Sequence, residues 1–189
     1  MNDVKQCRKN APWLQVRAMA VEFPEVMGHP NRLPFEGCLT LLDVPSDKAP
    51  SGARGHRVIL TRTAAEEALP SLLGMAVDYK AGWDGHDARQ KCGIITSANI
   101  REKKLLVSGY LYARDFPEME VRVGGLAAGA DDMGMSYELA EAHVADMRAP
   151  VWTLTRATFT GAAILLREKA AYRETSFRLR RGAEASRRT

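Results

Sequence analysis

Apolar residues in this chain come in short runs of about strand length, cut apart by glycine, proline and charged turns. Val58-Ile59-Leu60 and Ala162 to Leu166 are typical. Such runs are far below the roughly 20 residues that a membrane-spanning helix needs. In a chain of 189 residues they predict one domain with a single core, built mainly from strands.

The turn chemistry sets the order of elements. Strands are predicted over Trp13 to Phe23, Phe35 to Val44 and Arg57 to Thr61, with the proline- and glycine-rich loop Pro45 to Gly55 between the last two. Thr61 or Thr63 can cap a helix over Ala64 to Met75, which Pro70 must bend or restart. A glycine-rich loop, Ala81 to Asp87, leads to a hairpin of Cys92 to Ile100 and Lys104 to Tyr112 about Arg101-Glu102-Lys103. Pro117 suits the first turn of a helix that runs on to Ala128. Met133 to His143 reads as a strand, Val151 to Leu166 as one or two more, and Arg167 to Phe177 as a helix. The expected fold is mainly β with flanking helices (α+β): a small, mostly antiparallel β-barrel of six or seven strands, with helices near 64–75, 117–128 and 168–177.

Residues 1–177 are expected to form that domain, and 178–189 a basic, flexible tail. From Arg173 to Thr189 six arginines face two glutamates, which accounts for the whole net charge of +4. The body is therefore neutral overall, and nothing in it suggests a nucleic-acid face. The first residues mix Asp3, Lys5, Arg8 and Lys9 with apolar ones, which is not the order of a signal peptide. Cys7, Cys38 and Cys92 are odd in number and far apart, so neither a disulfide framework nor a zinc ribbon is indicated. A cytosolic protein with no cofactor, no metal and no membrane partner is expected. Cys38 and Cys92 read as small core residues.

Hydrolytic chemistry at a hydroxyl needs a base within reach and donors for the oxyanion. The chain has four histidines. His29 and His56 lie in proline- and glycine-rich loops and read as solvated. His86 sits in a glycine-flanked loop, and His143 ends the strand that contains Ser136. Gly134-Met135-Ser136-Tyr137-Glu138 is not the GxSxG elbow, because position 138 is Glu. On spacing alone, a serine in a strand and a histidine in a loop is the plainer reading.

The ordered set of segments says more. Gly85-His86-Asp87, Cys92-Gly93-Ile94-Ile95 and Lys104 to Tyr112 precede a helix after Phe116-Pro117-Glu118. Gly134-Met135-Ser136-Tyr137 and Phe159-Thr160-Gly161-Ala162-Ala163-Ile164-Leu165 follow it, and Leu33-Pro34-Phe35-Glu36-Gly37 opens the series. From Leu33 to Tyr172 this order resembles the prohead proteases of tailed bacteriophages, which are similar in fold to the herpesvirus assemblins. The resemblance implies a serine endopeptidase with His86 as base and Ser136 as nucleophile. Its substrates would be scaffold protein, major capsid protein and itself, and it would work as a homo-oligomer inside the procapsid, in the host cytoplasm.

The family's third catalytic member, Glu or His, lies in the closing strand. Phe159-Thr160-Gly161-Ala162 offers none here. Glu138, on the strand face of Ser136, and His143, seven residues on, are the substitutes. Arg167 or Lys169 would stabilise the oxyanion. Two other functions fit the same residues: a catalytically inactive capsid-assembly or scaffold protein of the same fold, and a small nucleic-acid-binding barrel using its arginine tail.

Overall fold

The computed structural model describes residues 18–24, 26, 28–124 and 132–180. Among these, nine strands form one sheet: β1 (Ala18–Ala20), β2 (Leu33–Leu41), β3 (Arg57–Leu60), β4 (Ala76–Tyr79), β5 (Lys91–Arg101), β6 (Lys104–Leu111), β7 (Met133–Val144), β8 (Val151–Leu166) and β9 (Ser176–Leu179). Two α-helices accompany them, α1 (Arg62–Ala68) and α2 (Pro117–Gly124). The protein is mainly β with a few helices, as the spacing of its apolar runs predicts. No helix among the described residues is long and apolar enough to cross a membrane.

The expected hairpin of β5 and β6 forms, with a turn one residue tighter than expected: Arg101 pairs opposite Lys104, and Glu102 takes the left-handed conformation at φ 52°. Period-two alternation sends Leu105, Val107 and Leu111 of β6 into the core. β8 is a single strand of 16 residues. At about 3.3 Å per residue it is long enough to serve several partners. Along one edge it pairs in parallel with β3 and, further on, with β4. Along the other it pairs antiparallel with β7. The sheet is therefore larger than six or seven strands, and it contains two parallel pairings among mainly antiparallel ones.

The sheet curls so that β7 packs against β2 and β9. Gly37 makes room for this: a Cβ there would lie 2.6 Å from the Met135 sulfur. The core inside the curl includes Phe35, Leu60, Ile95, Met135 and Phe159, all at most 1% exposed. Cys38 and Cys92 are buried, as expected of small core residues.

Two helical expectations need correction. Thr61 does cap α1, accepting from the Ala64 N–H at 3.2 Å. The helix nevertheless stops at Ala68, and Leu69–Leu72 is a tighter 3₁₀ turn, because Pro70 has no N–H to continue the ladder. Gly74, at φ +79°, then turns the chain into β4, a strand in the stretch between the expected helix and the glycine-rich loop, to which the sequence assigns no element.

The segment Arg167 to Phe177 is not a helix. It is a 3₁₀ turn over Arg167–Lys169, a loop, and the start of β9. Tertiary contacts override its propensity: Phe177 stacks on Phe35 with ring centroids 5.1 Å apart, and β9 hydrogen-bonds along β2. Arg178 and Leu179 belong to that strand, so the domain runs past residue 177. The remainder of the expected tail, 181–189, lies outside the described residues. So do the expected strand before Ala18, Cys7, and the stretch 125–128 of the helix begun at Pro117.

Candidate active site

β4, β7 and β8 have one face in the core and one outside it. On β7, Met135 is buried in the core and Tyr137 packs on it, edge-on to Phe159. By alternation Gly134, Ser136 and Glu138 face outward. On β8, Ala162 and Ile164 belong to the core, whereas Ala163 and Leu165 form a separate small cluster with Ala170. On β4, Val77 and Tyr79 are core residues and Asp78 lies between them.

The register lines these outward residues up. Ala163 is opposite Ser136 on one side and Asp78 on the other, and Gly161 is opposite Glu138. Two strand spacings separate Asp78 from Ser136, roughly 10 Å between backbones. The residues between them on that face are small: Ala163 contributes a methyl group, and a Cβ on Gly161 would lie 2.7 Å from Glu138 Oε2.

His86 is brought over this face by the loop Lys80 to Gln90, which is held at several points. Trp83 stacks on Tyr79 at 5.0 Å and accepts a hydrogen bond from the Leu166 N–H at 2.8 Å. Lys80 pairs with Asp84 at 3.1 Å, and the Asp87 carboxylate accepts from the Arg89 N–H at 3.0 Å. The His86 Nδ1 ends 3.5 Å from Asp78 Oδ1 and 3.5 Å from Glu138 Oε1.

Asp78 is fully buried. Its Oδ2 accepts from the Lys91 ammonium at 2.8 Å. Its Oδ1, like the His86 Nδ1, has no well-formed hydrogen bond; the two atoms face each other at 3.5 Å. Burial by itself pushes the Asp78 carboxyl up. His86 and Lys91 outweigh that and hold it below the ordinary carboxylate range.

Arg167 lies at the other end of the outward row. Its Cα sits 3.1 Å from where a Cβ on Gly134 would be, so the bare glycine allows the chain after β8 to cross β7 close to Ser136. The Arg167 Nε is buried without a hydrogen-bond partner. A cavity beside it is lined by Lys48, Asp132, Glu168, Lys169 and Arg173. Lys169 is exposed and pairs with Glu168 at 3.6 Å.

Of the predicted residues, the structure thus brings His86 to Glu138, places Ser136 on the same face, and sets Arg167 beyond it. No hydrogen bond joins the His86 ring to the Ser136 hydroxyl; the imidazole rests between the two carboxylates. His143 is not brought in. It is exposed, opposite Arg156, seven residues along β7 from Ser136 and therefore on the order of 20 Å away. His56 stacks on Trp152 at 4.5 Å, so it is a packing residue more than a solvated one. Sequence reading misses Asp78 altogether. The available signal was a lone acid between the apolar Val77 and Tyr79, which is a buried charge in need of a partner if the segment is a strand.

A hydroxyl, an imidazole and two carboxylates on one face can support proton transfer to and from the hydroxyl. The imidazole and the carboxylates can alternatively ligate a cation, since their ligand atoms all lie within 4.8 Å of one another. No family model matches this chain, and no curated protein matches it.

Proposed function

We propose that the chain is a serine endopeptidase of the prohead-maturation kind, with an assemblin-like barrel. Ser136 is the nucleophile, His86 its base, and Asp78 with Glu138 the groups that orient the base. The observation that carries this reading is the placing of His86, 50 residues upstream, against Glu138 and the buried Asp78 on the face that bears Ser136.

In this reading Nδ1 of His86 faces the carboxylates and carries the ring proton. Nε2 is then left with the lone pair. As Ser136 Oγ bonds to the peptide carbonyl carbon, its proton passes to Nε2, and Asp78 and Glu138 stabilise the imidazolium. The negative oxygen of the tetrahedral intermediate is met by the Arg167 guanidinium. When the C–N bond breaks, Nε2 returns the proton to the leaving amine. A water molecule then repeats the sequence on the acyl-serine, restoring the hydroxyl. The substrates, as the resemblance implies, are scaffold protein, major capsid protein and the chain itself, in a procapsid.

One observation favours a second reading, a catalytically inactive assembly protein of the same fold: Ser136 and His86 are not hydrogen-bonded to each other. Treating the purified chain with a fluorophosphonate and locating the adduct by mass spectrometry separates the two. The protease reading expects one adduct, on Ser136, lost in both Ser136→Ala and His86→Ala. Absence of an adduct on the folded wild type, together with intact scaffold and capsid protein after co-expression, would leave the inactive reading.

A further inference from the structure

We propose that Asp78, His86 and Glu138 form a binding site for one divalent cation of the zinc class, and that occupancy of this site switches off the base. The binding half stands on geometry alone; the inhibitory half rests on the protease reading above.

The two contacts of His86 Nδ1, each 3.5 Å, are too long for hydrogen bonds. They are the right length for two edges of a coordination tetrahedron. With metal–ligand bonds of about 2.1 Å, ligand atoms lie about 3.4 Å apart. Two of the three ligand atoms are also buried without a hydrogen-bond partner: Asp78 Oδ1, on a fully buried side chain, and His86 Nδ1, which offers a lone pair in the tautomer protonated at Nε2. Buried polar atoms are normally paired, so two unpaired atoms facing each other mark a place that a third group can fill.

The ligand set selects the ion. An imidazole nitrogen with two carboxylate oxygens suits zinc, cobalt or nickel, whereas magnesium and calcium favour oxygen alone. Lys91 occupies Asp78 Oδ2 at 2.8 Å, so Asp78 offers one oxygen, and Glu138, about two-fifths exposed, provides the entry side. Three protein ligands leave a fourth position for water, as in open zinc sites.

The consequence follows from the tautomer. An imidazole that gives its Nδ1 lone pair to a metal keeps its proton on Nε2. Such a ring cannot accept the Ser136 proton, and its carboxylate partners are engaged by the same ion. The cation is thus a reversible inhibitor that acts without touching the serine.

Titration of the full chain with zinc chloride by isothermal calorimetry, supported by the visible spectrum of the cobalt form, tests the site. One ion per chain is expected, with binding weakened on the order of tenfold to a hundredfold or more in His86→Ala and in Glu138→Gln, and unchanged in Ser136→Ala. Both weakened positions are partly exposed, so these variants should fold, which circular dichroism checks. No saturable binding, or binding that survives His86→Ala unchanged, overturns the proposal. Fluorophosphonate labelling of Ser136 should slow with zinc and recover with EDTA. Labelling that is indifferent to zinc in a chain that binds it overturns the inhibitory half. Absence of labelling without any metal strikes the protease reading and leaves the cation site standing on the calorimetry.

Discussion

Two groups of buried polar residues in this chain are built on opposite principles. Around Tyr172 the buried hydroxyls have found partners. The Tyr172 hydroxyl donates to the Val58 carbonyl at 3.0 Å and lies 3.3 Å from that of Val44. Ser46 Oγ accepts from the Val58 N–H at 3.0 Å, and the Thr175 hydroxyl donates to the Tyr172 carbonyl at 2.9 Å. Burial raises the Tyr172 hydroxyl far above its ordinary pKa, so it remains a donor at any ordinary pH. Around Asp78 two buried atoms, its own Oδ1 and the His86 Nδ1, are left without partners although they face each other. A satisfied network ties loops to the sheet and has nothing left to give. An unsatisfied one costs stability and keeps its lone pairs available to a proton, a substrate or an ion.

The contrast breaks first, if it breaks, at Ser136. On the protease reading Ser136→Ala should lower peptide cleavage by about 10³-fold or more, measured on scaffold or capsid substrate, while the melting temperature stays near that of the wild type. Cleavage that persists would remove Ser136 from the chemistry and leave the outward face without a nucleophile.

Asp78→Asn comes next. Replacing the orienting carboxylate should reduce kcat on the order of 10²- to 10⁴-fold, because the amide favours the wrong imidazole tautomer. The same change has a pH signature in stability. The folded state holds the Asp78 carboxyl below its ordinary value of 3.8, so its contribution is present above that pH and is lost as the pH falls through the lower, folded value. Wild type should therefore be more stable than the Asp78→Asn variant at pH 7, and the difference between them should shrink below about pH 4. A gap that stays constant from about pH 7 down to well below pH 4 would show that the carboxylate's charge is not what the fold uses.

Tyr172→Phe tests the other cluster. It removes one of the two donors to the Val58 carbonyl, which keeps the Ser46 N–H at 2.8 Å, and should cost about 0.5–1.5 kcal/mol by chemical denaturation, with kcat unchanged. Loss of activity without loss of stability would erase the distinction between the two groups. The smallest effect belongs to His143→Ala, which should alter cleavage less than about twofold and stability within about 0.5 kcal/mol, as for other exposed positions. A larger loss of activity would restore His143 as a candidate for the third role.

The legible parts of this chain are those whose signal is local. The β5–β6 hairpin can be read from two alternating runs about a charged turn, and the Thr61 cap from one hydroxyl ahead of an alanine-rich turn. Glu138 joins Ser136 on one strand face by spacing alone. The misread parts depend on distant partners. Ser176 and Phe177 look helical beside Arg167 to Thr175, and Arg178 and Leu179 look like a flexible tail, until β2 offers a free edge and Phe35 a ring to stack on. Ala76–Tyr79 is too short to announce itself, yet it becomes a strand because β5 and β8 flank it.

The amino-acid sequence by itself determined that this is a mainly β chain without a long apolar helix, that its net charge sits at its C-terminal end, and that Ser136 and Glu138 share a face. Those properties rest on composition and on the two-residue period of a strand, which no distant contact can change. Only the tertiary structure decided which carboxylate meets His86 besides Glu138, and that His143 does not. Asp78 and Ser136 flank Ala163 because β4 and β7 choose opposite edges of the same long strand. That choice is made by sheet pairing between segments far apart in the chain, and nothing in the local sequence encodes it.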